Sequence, residues 1–225
     1  MMKRIPEPDL MNGDKQALAY ANADFNEPHS LFIELFSQTF SYTNIQGHVL
    51  DLGCGPADIS IRFAKTYPRC LIEGVDGAKN MLKHGREAVI KQKLERRVDL
   101  ICGYLPKAQL PRAHYDVIIS NSLLHHLTDP MILWDMIKKY TTGSTSIFIM
   151  DLMRPDSLQA AEQLVGDYAA TEPAVLQEDF LHSLCASYRV DEVTEQLQKA
   201  GLGMLKIKAV TDRHFIVCGR LGSER

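Results

Sequence analysis

The run Asp51-Leu52-Gly53-Cys54-Gly55 joins a short apolar stretch to a helical pattern, and its residue types suit the grip of a small ligand. Glycines let the backbone approach a ligand closely, and the N-terminus of the following helix offers free N–H groups. By itself such a turn is a generic nucleotide device, and a tight turn with no ligand has the same signature. Two acids narrow it. Asp51 stands on the strand just before the turn, where its carboxylate can meet a cationic ligand group. Asp76 ends the next strand, where a carboxylate can accept two hydrogen bonds from a ribose diol. Both fall at carboxyl ends of parallel strands, where ligands bind in open α/β sheets.

The turn also discriminates between ligands. A dinucleotide fingerprint wants a third glycine at position 58 so that strand and helix can pack around a pyrophosphate. This chain has Asp58 there, after Pro56-Ala57. A carboxylate repels a pyrophosphate, but tolerates a ligand with a sulfonium, an amino group and no phosphate. That favours S-adenosylmethionine over NAD. An NAD-dependent oxidoreductase remains a competing reading, and so does a non-catalytic protein that binds the same cofactor.

Other groups suit the reacting end. His125 and His126 follow the fourth strand on the ligand side and are the candidate catalytic base, since imidazole titrates near neutrality. A base is needed only where the acceptor must lose a proton. Arg154, just past the fifth strand with Asp151, can clamp an acidic substrate; a helix-edge salt bridge is the alternative. Tyr20 and Asp24, four apart, share a helix face with Phe25 nearby, and Tyr20 is expected to touch the cofactor or the substrate. Phe25, His29, Tyr168 and Tyr188 are candidate substrate contacts, with His182 in the same segments. His214 reads as a turn residue. No metal is expected.

Helical periodicity fills residues 14–40, with Pro28 separating two helices. Strands are expected at Val49–Leu52, Cys70–Asp76, Val98–Cys102, Tyr115–Ser120, Ser144–Leu152, Leu205–Val210 and Phe215–Arg220. Helices lie between them at Ile59–Tyr67, 78–94 and Pro130–Tyr140. An amphipathic helical segment covers 155–185, and Val190–Ala200 is closed by Gly201. Strands alternating with helices argue an α/β fold with a mostly parallel sheet. The last two strands, joined by Thr211-Asp212-Arg213, form a hairpin, so one strand runs antiparallel. One domain is expected. It divides into an N-terminal helical lid (1–40), a cofactor-binding core (45–152), a helical cap and helix (155–200) and a closing hairpin (205–220).

At 225 residues and 45% hydrophobic content, the chain can bury about 70% of its unfolded surface without staples. Net charge is −3, and the densest basic cluster, Lys91-Gln92-Lys93 with Arg96-Arg97, is interrupted by Glu95. That reads as a solvated helix face and disfavours a nucleic-acid partner. Five scattered cysteines without a Cys-x-x-Cys pair fit a reducing compartment. There is no apolar leader and no membrane-length run, so a cytoplasmic monomer or homodimer is expected.

Val49-Leu50-Asp51-Leu52-Gly53-Cys54-Gly55 resembles motif I of class I S-adenosylmethionine-dependent methyltransferases. Gly74-Val75-Asp76 with Met81-Leu82 resembles their second motif. Tyr115-Asp116-Val117-Ile118 with Leu124-His125-His126-Leu127 resembles the small-molecule branch that includes the ubiquinone/menaquinone methyltransferases. The resemblance is good over roughly 45–152 and looser elsewhere. It implies a Rossmann-like sheet of seven strands, the last antiparallel, with helices on both faces. It implies S-adenosylmethionine as cofactor, S-adenosylhomocysteine as product and a small-molecule methyl acceptor. It puts Gly53, Cys54 and Gly55 beside the methionine portion, with Asp51 near its amino group. Asp76 and Gly77 fall at the ribose, Met81 at the adenine and Asn121-Ser122 near the sulfonium. The chain departs from the pattern at Pro56-Ala57 and at Gly103-Tyr104-Leu105, where the family often has Gly-Asp-Ala. The adenine contact then falls to Tyr104 stacking or to a backbone carbonyl. Ser122-Leu123-Leu124 after Asn121 lacks the Pro-Pro-aromatic run of methyltransferases acting on DNA bases or protein glutamine.

Overall fold

The computed structural model describes residues 2–7, 20, 23, 25–40 and 45–221. In chain order these form α1 (Asn26–Thr39), β1 (Gly47–Leu52), α2 (Asp58–Thr66), β2 (Cys70–Asp76), α3 (Lys79–Lys91), β3 (Val98–Cys102) and β4 (Val117–Asn121). After a short 3₁₀ turn at Leu124–His126 come α4 (Met131–Tyr140), β5 (Ser146–Leu152), α5 (Leu158–Ala169), α6 (Ala174–Ala186), α7 (Val190–Lys199), β6 (Lys206–Ala209) and β7 (His214–Arg220).

The seven strands make one sheet in the order β3-β2-β1-β4-β5-β7-β6. The first five are mutually parallel, and β7 runs antiparallel to both β5 and β6. Strand order reverses between β1 and β4, so the carboxyl ends of these two strands open a crevice at the switch point.

Strand alternation sorts the core into two layers. Val49, Ile119, Phe148 and Ile216 face the layer that holds Phe32 and Phe36 of α1 and Phe63 of α2. Leu50, Leu52, Ile118, Ile147 and Phe215 face the other layer, with Trp134 and Ile137 of α4 and Val193 and Leu197 of α7. Trp134, Phe36, Phe63 and Phe148 are fully buried, each contributing roughly 1.5–3 kcal/mol. β5 is buried along its whole length, because β4 and β7 flank it and helices cover both faces.

Three points differ from the sequence reading, the first being that Pro28 stands in the first turn of α1 and does not separate two helices, since a first-turn N–H has no intrahelical partner to lose. The segment 155–185 is two helices rather than one, broken before Pro173, which precedes α6 with extended backbone. Proline has no N–H to continue α5 and disfavours a helical residue before it. His214 opens β7 instead of sitting in the turn. The helix expected over 14–24 lies outside the described residues apart from Tyr20 and Ala23, and so does the polar tail 222–225.

Residues 2–7 form an extended strap. Met2 N–H donates to the Asp156 carbonyl at 2.9 Å and Ile5 N–H to the Cys185 carbonyl at 3.0 Å. Arg4 donates to the carbonyls of Ala186, His125 and Leu127 at 2.5, 2.9 and 3.1 Å. Its guanidinium lies 4.2 Å from the Tyr188 ring centroid. The strap therefore fastens α6 to the turn that carries His125 and His126.

Candidate active site

A cleft of about 330 Å³ opens at the carboxyl ends of β1, β2, β3 and β4. Its walls include Tyr20, Asp51, Gly53, Cys54, Gly55, Asp76, Gly77, Met81, Gly103, Tyr104, Leu105, Asn121 and Ser122. All the residues nominated from sequence for the cofactor thus line one cleft.

Backbone geometry sets this cleft. Gly53 has φ +72°, and a side chain there would sit 2.8 Å from Leu123 Cδ1, so only glycine fits. The N–H groups of Gly53 and Cys54 both donate to the Val75 carbonyl, at 2.9 and 3.2 Å. Ala57 caps α2 in the left-handed region at φ +66°, and Ser122, after β4, also has a positive φ of +56°. Such non-glycine conformations store strain and gather at ligand clamps.

Asp51 is 1% exposed and accepts from Ser60 Oγ at 2.5 Å. Burial pushes its carboxyl up to about 7, against the Ser60 bond, with the Asp76 charge adding to the rise. None of the ion pairs among the described residues includes Asp51. Asp76 accepts from the N–H of Gly55 at 2.9 Å and of Ala78 at 2.7 Å, one on each oxygen. A carboxylate has about four acceptor sites, so each oxygen keeps capacity for a diol. Burial also raises Asp76, against those two bonds.

Tyr20 packs on Ala78 and Met81 and lies 4.5 Å from Phe25, centroid to centroid. Burial, with the charges of Asp58, Asp76 and Asp151, pushes its phenol up to about 12. This is an apolar shelf suited to a flat ring. Across the cleft the Tyr104 ring covers Gly77, where a side chain would lie 2.8 Å from Tyr104 Cδ1. Tyr104 is about half exposed.

Asp58 lines the cleft, yet it is not the bare acid that the sequence argument assumed. His29 Nδ1 and Arg62 Nε each approach its Oδ2 at 2.6 Å. Burial would raise its carboxyl, but these two partners outweigh burial and hold it below the usual range. Its repulsion of a phosphate is correspondingly weaker.

A second cavity of about 200 Å³ adjoins the first. Tyr20, His29, Asn121, Ser122 and His126 belong to both walls. Phe25, His125, Tyr168, Phe180, Ser183, Arg213 and His214 are among the residues that complete the second. Of the candidate substrate contacts, Phe25, His29 and Tyr168 lie here.

Arg154 and Tyr188 line neither cavity, which corrects the sequence reading. Arg154 is buried, and each of its three guanidinium nitrogens donates. It donates to the Ser187 carbonyl at 2.8 Å, to Glu192 Oε1 at 2.5 Å and to the Met2 carbonyl at 3.2 Å. A guanidinium fork suits such a junction, where strap, α6 end and α7 start converge. Tyr188 is buried beneath Arg4 and pairs in a bridge with Met153. His182 is exposed on α6.

His125 Nδ1 meets Asp151 Oδ1 at 2.5 Å, both groups almost fully buried. Asp151 also accepts the N–H groups of Leu124 and Leu152 at 2.7 and 2.8 Å. Burial would lower the imidazole, but the charge and hydrogen bond of Asp151 outweigh it and raise its pKa. His126 Nδ1 meets Glu7 Oε2 at 2.5 Å, and the two imidazoles lie 4.1 Å apart.

Glu7, Ser183, Arg213 and His214 were not found from sequence as site residues. Arg213 stacks 3.3 Å from the Tyr168 centroid and pairs with Asp212 at 3.1 Å. His214 is held neutral, its pKa pushed down to about 4 by burial and by Arg213. No local spacing signals Glu7, which reaches His126 across most of the sheet-forming chain.

Residues 49–142 match the family model described as a methyltransferase domain. With this sheet order, that stretch is similar to the class I S-adenosylmethionine-dependent methyltransferases. The malonyl-[acyl-carrier protein] O-methyltransferase of Priestia megaterium is 31% identical over 120 residues, 53% of this chain and 41% of that relative. The trans-aconitate 2-methyltransferase of Mycobacterium ulcerans is 33% identical over 89 residues, 38% of this chain and 30% of that relative. The chain thus spans half or less of these curated relatives. Among solved structures, the plantazolicin methyltransferase BpumL bound to SAH superposes with TM-score 0.69 at 16% identity, covering 92% of this chain and 90% of that one. A SAM-dependent methyltransferase from Aquifex aeolicus gives TM-score 0.58 at 18% identity, covering 84% and 96%. Both likenesses concern the fold. No helix among the described residues is long and apolar enough to cross a membrane.

Proposed function

We propose that this protein transfers the methyl group of S-adenosylmethionine to a small-molecule acceptor seated in the second cavity. The observation that carries this reading is the shared wall. Two cavities meet at Tyr20, His29, Asn121, Ser122 and His126, so a donor in one and an acceptor in the other would be in contact. Positioning of this kind supplies much of the acceleration in a displacement reaction.

The residues fit the cofactor. Asp51 is an acid whose carboxyl burial pushes up to about 7, and a cationic amino group beside it would favour its charged form. Asp76 offers its remaining lone pairs to ribose hydroxyls, and the Tyr20–Ala78–Met81 shelf takes the base. Bound there, the cofactor supplies an electrophilic methyl group on a sulfonium. The rest is done by the chain. Asn121 and Ser122 shape the passage between cavities. The His125–His126 turn handles the acceptor's proton, and Tyr20, Phe25 and His29 wall the junction from α1 and the residues before it.

The relatives are named for a malonyl group on acyl-carrier protein and for trans-aconitate, so an acidic oxygen is the first acceptor to try. The ubiquinone/menaquinone branch rests on Tyr115-Asp116-Val117-Ile118 with Leu124-His125-His126-Leu127.

Calorimetry with S-adenosylhomocysteine and, separately, NAD tests the reading. One equivalent of S-adenosylhomocysteine should bind and NAD should not. Binding of NAD alone would return the protein to the oxidoreductases.

A further inference from the structure

We propose that Glu7, His125 and His126 form a binding site for a divalent first-row transition-metal ion at the edge of the second cavity. One possible ligand atom from each of the three lies within 4.8 Å of the other two. Tetrahedral zinc ligands at about 2.0–2.1 Å from the metal stand roughly 3.4 Å apart. Small side-chain rotations of His126 and Glu7 would close the difference. Two imidazoles and one carboxylate form a donor set suited to zinc, cobalt or iron rather than to calcium or magnesium.

What separates this cluster from a chance meeting of side chains is its support. Ligating histidines ordinarily give their other ring nitrogen to a carboxylate, and ligating carboxylates are themselves hydrogen-bonded. Here His125 Nδ1 is taken by Asp151 at 2.5 Å, which leaves Nε2 as its ligand atom. Asp151 is in turn fixed by two backbone N–H groups. Glu7 Oε1 accepts from Ser183 Oγ at 2.6 Å, while Oε2 faces His126. Arg4 then clamps the strap that carries Glu7 to the carbonyls of His125 and Leu127. The strap and the turn are thus joined by contacts that need no metal, which preorganises the ligands.

The placement gives the ion a use, and this part rests on the methyltransferase reading above. His125, His126 and Ser183 all line the second cavity, so three protein ligands would leave positions open toward the acceptor. An ion held there would lower the pKa of a hydroxyl bound at such a position, whose proton would pass to water, and would so take over the proton-handling role given above to the His125–His126 turn.

The test uses the full chain, stripped with a chelator and dialysed, with cobalt(II) and zinc(II) as probes and no acceptor. Cobalt should bind at one equivalent with visible absorption bands that zinc abolishes. Glu7→Gln and His126→Ala should each remove the bands. Ser183→Ala, which keeps all three ligands, should weaken binding about tenfold or more. Thermal melting of each variant checks that it is folded. Failure of the stripped wild type to bind either ion overturns the proposal and leaves Glu7–His126 as an ion pair. Binding that survives both ligand variants overturns it as well. S-adenosylhomocysteine affinity, measured on the stripped protein, reads the cofactor site separately, so a failure there is distinguishable from a failure here.

Discussion

The two cavities that meet at Asn121 and His126 are built by opposite means. The larger is lined chiefly by the turns after β1, β2, β3 and β4, where Gly53, Gly55, Gly77 and Gly103 bring the backbone itself to the cavity, within the stretch that matches the methyltransferase domain. The smaller is made of side chains from α1, α5, α6, the turn after β4 and the closing hairpin, most of them outside that stretch. A wall of backbone constrains its own local sequence. A wall of side chains constrains only which surfaces meet.

The sharpest test of this division is Arg154, which the sequence assigns to the acceptor side and the structure makes a buried junction. Arg154→Ala should cost about 3 kcal/mol in urea unfolding, at the lower end for a broken buried pair because Glu192 is partly exposed. Cofactor affinity measured below the transition should not move. A variant as stable as the wild type would put Arg154 back among the substrate contacts.

Asp76→Ala probes the backbone-built wall. It should weaken S-adenosylhomocysteine binding by about 1–3 kcal/mol, the cost of leaving ribose hydroxyls unpaired. Unchanged affinity by calorimetry would remove Asp76 from the ribose.

Asp51 adds a pH dependence. Its folded carboxyl titrates near 7 against 3.8 for the free group, and a cationic amino group binds the ionised form. Affinity for S-adenosylhomocysteine should therefore fall as pH drops below 7, approaching tenfold per unit well below that point. Asp51→Asn should bind weakly and without that slope. The ligand-free protein should show the linked effect. Between about 4 and 7 the folded state holds a proton that the unfolded chain has lost, so the Asp51 contribution to stability falls as pH rises through this window. A flat affinity profile from pH 5 to 8 would show that no ligand cation meets Asp51.

The smallest expected effect marks the other cavity. Tyr168 is exposed on α5 and lines only the second cavity. Tyr168→Ala should leave S-adenosylhomocysteine affinity within about twofold, inside the ordinary range for surface changes. A loss as large as that of Asp76→Ala would mean that the two cavities are not separable.

The strands, their parallel order and the closing antiparallel hairpin were legible because hydrophobic runs and turn residues are local signals. The residues that line the larger cavity were legible for the same reason. The break at Pro173 was overlooked because apolar spacing continues across it on both sides. Asp58 was legible as a residue but not as a doubly paired acid: Arg62 is its i,i+4 neighbour on α2, but His29 reaches it from α1. Arg154 was assigned by its nearness to a strand end and Tyr188 by its place in the cap segments, rules blind to the strap that covers them.

By itself the sequence determined the sheet, the glycine turn and the acids Asp51 and Asp76, because glycine conformation and strand alternation are fixed within a few residues. Only the tertiary structure decided that Glu7 meets His126, that Arg154 holds a junction, and that Arg213 and His214 face a cavity. Those pairings join strap, turn, helices and hairpin that are distant along the chain, and buried groups take whichever partner packing brings within hydrogen-bond reach.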